Sequence, residues 1–137
     1  MTWYAGRLLD HVHLNVSDLD RSAAFYTAVL AALGLPAPQR GPDYLQADEL
    51  FLSLPAPGRP LSSVHIAFQA GDRETVQRFH AAALQAGGRD NGSPGERDYH
   101  PGYYAAFVFD SDDNNIEAVF HGPVKRSAPS IELEPME

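Results

Sequence analysis

Three histidines and one glutamate have the types and spacing to do chemistry. His11 and His13 sit two apart in an alternating stretch that carries Leu8, Val12, Leu14 and Val16, so they share one face of a strand. His65 follows His11 by 54 residues, and the pairs Asp18/Asp72, Phe25/Phe79 and Gly34/Gly88 recur at the same offset. One folding unit is used twice. Duplicated units bring equivalent positions together across a pseudo-two-fold axis, which makes His11 and His65 candidates for a single site. Glu117 lies in Asn115-Ile116-Glu117-Ala118-Val119, where a carboxylate facing a concave interior needs a reason, and a metal ion is one. Two imidazoles and a carboxylate leave about two or three positions open on a divalent ion, so substrate oxygens can bind it directly. Such an ion lowers the pKa of an attached water and stabilises an enolate or oxyanion. A lone histidine on a strand is ordinarily a hydrogen-bonded structural residue, and it is the repeat that raises His11 and His65 above that reading.

The elements that must position these residues follow from periodicity. Residues 8–16 read as a strand, and Asp18 caps a helix whose apolar face is Tyr26, Val29, Leu30 and Leu33, closed by Gly34. Tyr44–Ala47 and Leu50–Leu54 read as short strands joined through Asp48-Glu49. The connector Pro55–Pro60 is too short to separate independent domains. Val64–Phe68 opens the second half, and Asp72 caps a helix with Val76, Phe79, His80 and Ala83 on one face, ended by Gly87-Gly88. Arg89–Gly102 reads as a long polar loop, and Tyr103–Phe109 and Asn115–Phe120 as a hairpin across Asp110–Asn114. Each half is thus strand, helix, then two or three strands. Pairing two such halves buries their apolar faces and predicts an α+β domain, helices outside a curved, cupped sheet. Concave sheets of this kind make ligand cavities.

Composition narrows the function. At 137 residues with 44% hydrophobic and 20% charged side chains, the chain has the size and make-up of one globular domain. No cysteine is present, which removes thiolate chemistry and disulfides and fits a cytoplasmic setting. The first seven residues lack the apolar run of a signal peptide, and no stretch is apolar enough to span a membrane. A net charge of −8 repels phosphate backbones, so no nucleic-acid partner is expected.

Leu9-Asp10-His11-Val12-His13-Leu14-Asn15-Val16-Ser17-Asp18-Leu19, with Ser22 and Phe25-Tyr26, resembles the opening strand and helix of the vicinal oxygen chelate superfamily, which includes glyoxalase I, fosfomycin-resistance thiol transferases, extradiol dioxygenases and bleomycin-resistance proteins. Val64-His65-Ile66-Ala67-Phe68 resembles the start of its second module, and Asn115–Val119 its closing strand. The resemblance spans about residues 7–121. It implies one domain of two tandem βαβββ modules, at about 7–56 and 61–121 with a tail over 122–137, forming a cupped, partly closed mixed sheet. It also implies a divalent metal (Fe, Mn, Zn or Ni) held by His11, His65 and Glu117, and a homodimer. Two departures stand out. The glyoxalase branch has a fourth ligand on the last strand of its first module, where this chain has Leu50–Leu54 with no carboxylate or imidazole. The family's Asp-Pro-Asp-Gly turn is Asp110-Ser111-Asp112-Asp113 here, which puts a non-glycine where φ can be positive.

The expected function is therefore a metal-dependent enzyme, a lyase, isomerase, thiol transferase or dioxygenase, acting on a small oxygen-rich substrate. His13 or Tyr104 would move protons, His13 being as readily a packed structural residue. Arg97, His100 and Tyr103 near the long loop would touch substrate, although a solvated loop is the ordinary reading. His80 reads as a packing residue, and His121, on the Glu117 face of its strand, as lying beyond the rim. The alternative is a non-catalytic protein of bleomycin-resistance type that sequesters a small molecule in the same cavity; a module with a purely structural metal is a third reading.

Overall fold

The structure, a computed structural model, describes residues 8–127 and 133–136. Residue 7 of the first module and residues 128–132 and 137 of the tail lie outside the described residues. The elements are β1 (Val12–Asn15), α1 (Leu19–Ala32), β2 (Gln39–Arg40), β3 (Tyr44–Ala47), β4 (Leu50–Ser53), β5 (His65–Gln69), α2 (Arg73–Gln85), β6 (Arg89–Glu96), β7 (Tyr104–Phe109) and β8 (Asn115–Phe120). The order βαβββ occurs twice. Each unit folds into a four-stranded mixed sheet, ordered β1-β4-β3-β2 and β5-β8-β7-β6, with the first strand parallel to the last. The α+β reading and the duplicated module hold. The sheets are unclosed, with β1 and β5 at their edges.

Local chemistry places the helices where periodicity predicts them. Asp18 accepts a hydrogen bond from the Arg21 amide at 3.0 Å, and Asp72 one from the Thr75 amide at 2.7 Å, so each helix opens on a carboxylate cap. Ser22, Phe25, Tyr26, Val29 and Leu30 are buried on α1, and Thr75, Val76, Phe79 and Ala83 on α2. The two helices pack on each other. Leu14, Leu45, Leu50 and Leu52 of the first sheet join Ala106, Val108, Ile116 and Ala118 of the second in one core with both helices. The helix-facing sides of both sheets therefore share one interior.

Two expectations need correction. The opening strand is shorter than residues 8–16, because β1 begins at Val12 and leaves His11 just ahead of it. Arg89–Glu96, read as part of a polar loop, is β6, an edge strand antiparallel to β7 with register shifts around Gly92 and Gly95. Its Gly92-Ser93-Pro94-Gly95 core has no apolar alternation, and proline is tolerated only because one side of an edge strand makes no ladder. The connector is not slack. Ser62 exchanges hydrogen bonds with the backbone of Asn15, and the Asn15 amide side chain reaches the Pro60 carbonyl. At the β7–β8 turn Asp113 adopts φ 64°, the glycine-like conformation expected of that position.

Candidate metal and substrate site

Strand alternation sorts the residues by face. Ile116 and Ala118 of β8 point to the helices, so Glu117 and Val119 point to the other face, where Val119 packs with Ala105, Phe107 and Tyr103. On β1, Leu14 points to the core and His13 away from it. Glu117 is 2% exposed although its strand face has no helix over it. Its Oε1 accepts a hydrogen bond from His65 Nε2 at 2.8 Å, and its Oε2 accepts one from the Tyr103 hydroxyl. The register explains the first contact: Glu117 pairs with Ala67 across the parallel β5–β8 ladder, and His65 is two residues back on the same face. Burial, then the Glu117 carboxylate, push the Tyr103 phenol well above its ordinary range, so it stays a hydrogen-bond donor.

An aromatic cluster holds Tyr103. The Tyr99, His100 and His121 rings meet it edge-on at 4.9, 5.3 and 5.3 Å. His100 and His121 stack at 5.1 Å, with His100 Nε2 and His121 Nδ1 2.9 Å apart. The chain reaches this arrangement because Gly102 and Gly122, both at positive φ, lie back to back. A Cβ on Gly102 would come within 3.4 Å of the Gly122 backbone. Burial, then the neighbouring His100, lower the His121 pKa, while Glu117 acts in the opposite direction. His121, read as lying past the rim, thus belongs to the cluster beside Glu117. Its position at the same strand parity as Glu117 was the signal for it.

The remaining candidates are placed as follows. His11 is exposed and donates from Nδ1 to Asp10 at 2.7 Å, apart from the His65–Glu117 pair. Among the described residues no three His, Asp or Glu side chains gather around one point where an ion could sit. His13 lies on the outer face of the first sheet, with Nε2 2.6 Å from Ser53 Oγ and its ring edge-on to Phe51, which stacks on Tyr44. Tyr104 points the other way: it is buried, accepts a hydrogen bond from Gln77 and packs under Arg73. Its strand parity, opposite to that of Glu117, takes it into the core rather than to the site. Arg97 lies over the Phe107 ring at 5.3 Å and donates to the Ser93 carbonyl at 2.8 Å. With His100 it lines an open pocket of about 310 Å³ between Glu96 and Gly102. His80 is half-buried and bonded to Asp90.

Imidazole nitrogen and carboxylate oxygen are donors that Fe(II), Mn(II), Zn(II) and Ni(II) all accept. His65 Nε2 and Glu117 Oε1 converge, so this pair fits two positions of a divalent ion. The pair is not repeated in the first module. Applying the 54-residue offset, His13 matches Ala67, and their ladder partners are Phe51 and Glu117. A phenyl ring thus stands where the second sheet has its carboxylate.

Comparison with known proteins agrees with the duplicated fold. The glyoxalase/bleomycin resistance protein/dioxygenase superfamily model matches residues 8–118. A glyoxalase/bleomycin resistance protein from Albidiferax ferrireducens T118 is 30% identical, with a TM-score of 0.71 over 81% of this chain and 97% of its own. The oxidase ChaP-H1 is 27% identical, with a TM-score of 0.57 over 83% and 95%. A glyoxalase-related enzyme from Fulvimarina pelagi shares the fold at 21% identity, with a TM-score of 0.64 over 89% and 99%. No curated protein matches the chain. With its family model covering most of the sequence and its two βαβββ modules in place, the chain belongs to the glyoxalase/bleomycin resistance protein/dioxygenase superfamily.

Proposed function

We propose that this protein is a divalent-metal-dependent enzyme acting on a small substrate that presents two neighbouring oxygens. The observation that carries this reading is the buried Glu117 carboxylate converging with His65 Nε2 on a helix-free sheet face. A carboxylate loses several kcal/mol of hydration on burial, a cost repaid only by partners that satisfy its charge. An ion between Oε1 and Nε2 would supply that charge, and as a Lewis acid it would polarise substrate oxygens and lower the pKa of a bound hydroxyl. The chain's own groups do the rest. His65 and Glu117 would hold the ion, the apolar Ala105, Phe107 and Val119 side chains flank Glu117, and the exposed His13 imidazole beside Ser53 would take or return a proton. Lyase, isomerase, thiol-transfer and ring-cleaving reactions all fit this arrangement.

The site is completed by a second copy of the chain in a homodimer. His11 is at the head of β1 and His65 at the head of β5, equivalent sheet edges that are not joined to each other. Setting β1 of one protomer beside β5 of the other brings His11 of the partner subunit toward His65 and Glu117 and makes the isologous interface of a two-fold dimer. The lack of cysteine suits a cytoplasmic setting. Elemental analysis of protein purified without chelators or affinity nickel tests the reading. Near-stoichiometric Fe, Mn, Zn or Ni in the wild type, lost in His65→Ala, is expected; a wild type that holds and takes up no metal removes it.

A second reading, ligand sequestration without chemistry, is favoured by one feature. The stacked Tyr44–Phe51 pair, with centroids 5.4 Å apart and His13 edge-on, offers an aromatic surface where a four-ligand site would have a carboxylate. Recovery of unmodified compound bound tightly to chelator-treated protein supports this reading over catalysis.

A further inference from the structure

Tyr103 stands outside the candidate ligand set, yet its hydroxyl ends on the buried carboxylate of Glu117. Glu117 has two oxygens, and the structure divides them. Oε1 faces His65 Nε2 at 2.8 Å, while Oε2 is taken by the Tyr103 hydroxyl. We infer that Tyr103 is a positioning residue that fixes Glu117 as a one-oxygen ligand. The inference rests on the metal reading above.

Three independent features keep the hydroxyl in place. The Tyr103 ring is wedged edge-on among Tyr99, His100 and His121. Its backbone is tied at both ends of the loop, the carbonyl accepting from the Arg97 amide at 2.9 Å and the amide donating to the His100 carbonyl at 3.2 Å. The Gly102–Gly122 contact locks that loop to the end of β8, the strand that bears Glu117. Ring, loop and the strand that bears Glu117 are thus packed into one unit.

The consequence is a coordination count. A carboxylate binding through both oxygens fills two positions on a divalent ion, and one binding through a single oxygen fills one. Two imidazoles and a one-oxygen carboxylate leave room for two substrate oxygens together with a water. Releasing Oε2 lets the carboxylate turn and close one of those positions. The Tyr103 hydrogen bond would thus keep a position for a water open beside a two-oxygen substrate. Hydrogen bonds to ligating carboxylates ordinarily change metal affinity about 10–100-fold.

Tyr103→Phe keeps the ring against its three neighbours and removes only the hydroxyl. Co(II) is titrated into metal-free wild type, Tyr103→Phe and Tyr99→Phe, the last removing a hydroxyl from the exposed edge of the same cluster. Affinity and visible absorption bands are read, and thermal unfolding of the metal-free proteins checks the fold. Weaker Co(II) binding by about 10–100-fold with shifted bands in Tyr103→Phe, and neither change in Tyr99→Phe, is expected. Wild type and Tyr103→Phe with the same affinity and the same bands overturn the positioning role and leave the metal reading standing. A wild type that binds no Co(II) removes the metal reading, and the inference with it.

Discussion

Phe51 occupies in the first sheet the ladder position that Glu117 occupies in the second. Phe51 pairs with His13 and Glu117 with Ala67, and His13 and Ala67 are one repeat apart. The two modules are alike in backbone and unlike in chemistry. One sheet face carries a carboxylate, an imidazole and a phenol; the other carries an aromatic stack with a histidine–serine pair. Within one chain the face that carries His65 and Glu117 lacks His11, whose own carboxylate contact is Asp10.

This division makes subunit complementation a direct test of the proposed two-chain site. His11→Ala and His65→Ala proteins are each expected to be metal-poor. After mixing and subunit exchange, half of the dimers pair the two variants, and each of those regains one intact site, so metal content returns to about a quarter of wild type. No recovery after confirmed exchange shows that each site is built within one chain.

A buried polar clamp joins the modules beside their shared core, and removing it costs stability. The Tyr26 hydroxyl of α1 donates to Asp110 Oδ2 at 2.6 Å, and the Asn114 side chain donates to the same carboxylate at 3.0 Å. Burial, then Asp110, push the Tyr26 phenol far up, so it remains a donor at all working pH values. Tyr26→Phe keeps the ring in the core and leaves Asp110 one donor short. A loss of about 1–3 kcal/mol in urea unfolding is expected, with no loss of metal affinity. A change below a few tenths would show that the clamp contributes nothing.

His121 gives stability a dependence on mildly acidic pH. Its folded-state pKa lies below the ordinary 6.5, from burial first and from His100 second. The unfolded chain then binds the proton more readily than the folded one, so stability is full above about pH 6.5 and falls as pH drops from there through the lowered folded value. Unfolding midpoints of metal-free protein between about pH 5 and pH 8 are expected to decline on the acid side, less steeply in His121→Gln. Identical acid slopes for the two proteins would assign the decline to other groups.

The sequence by itself determined the duplicated module, both helices with their aspartate caps, the last hairpin and the left-handed turn at Asp113, because each rests on near-neighbour chemistry and on periodicity. It marked His65 and Glu117 as well, through the repeat offset and a carboxylate set among apolar strand residues. Tertiary structure decided what local pattern cannot carry. Pairing with β7 made a strand of Arg89–Glu96, whose glycines and proline give no strand signal of their own. Strand parity took Tyr104 into the core and set its neighbour Tyr103 on Glu117. Long-range packing of the loop on the end of β8 drew His100 and His121 together around that tyrosine. The shared helix core left the two sheets unclosed with His11 apart from His65, since which sheet edges meet is set by packing across the whole chain rather than by the residues of one strand.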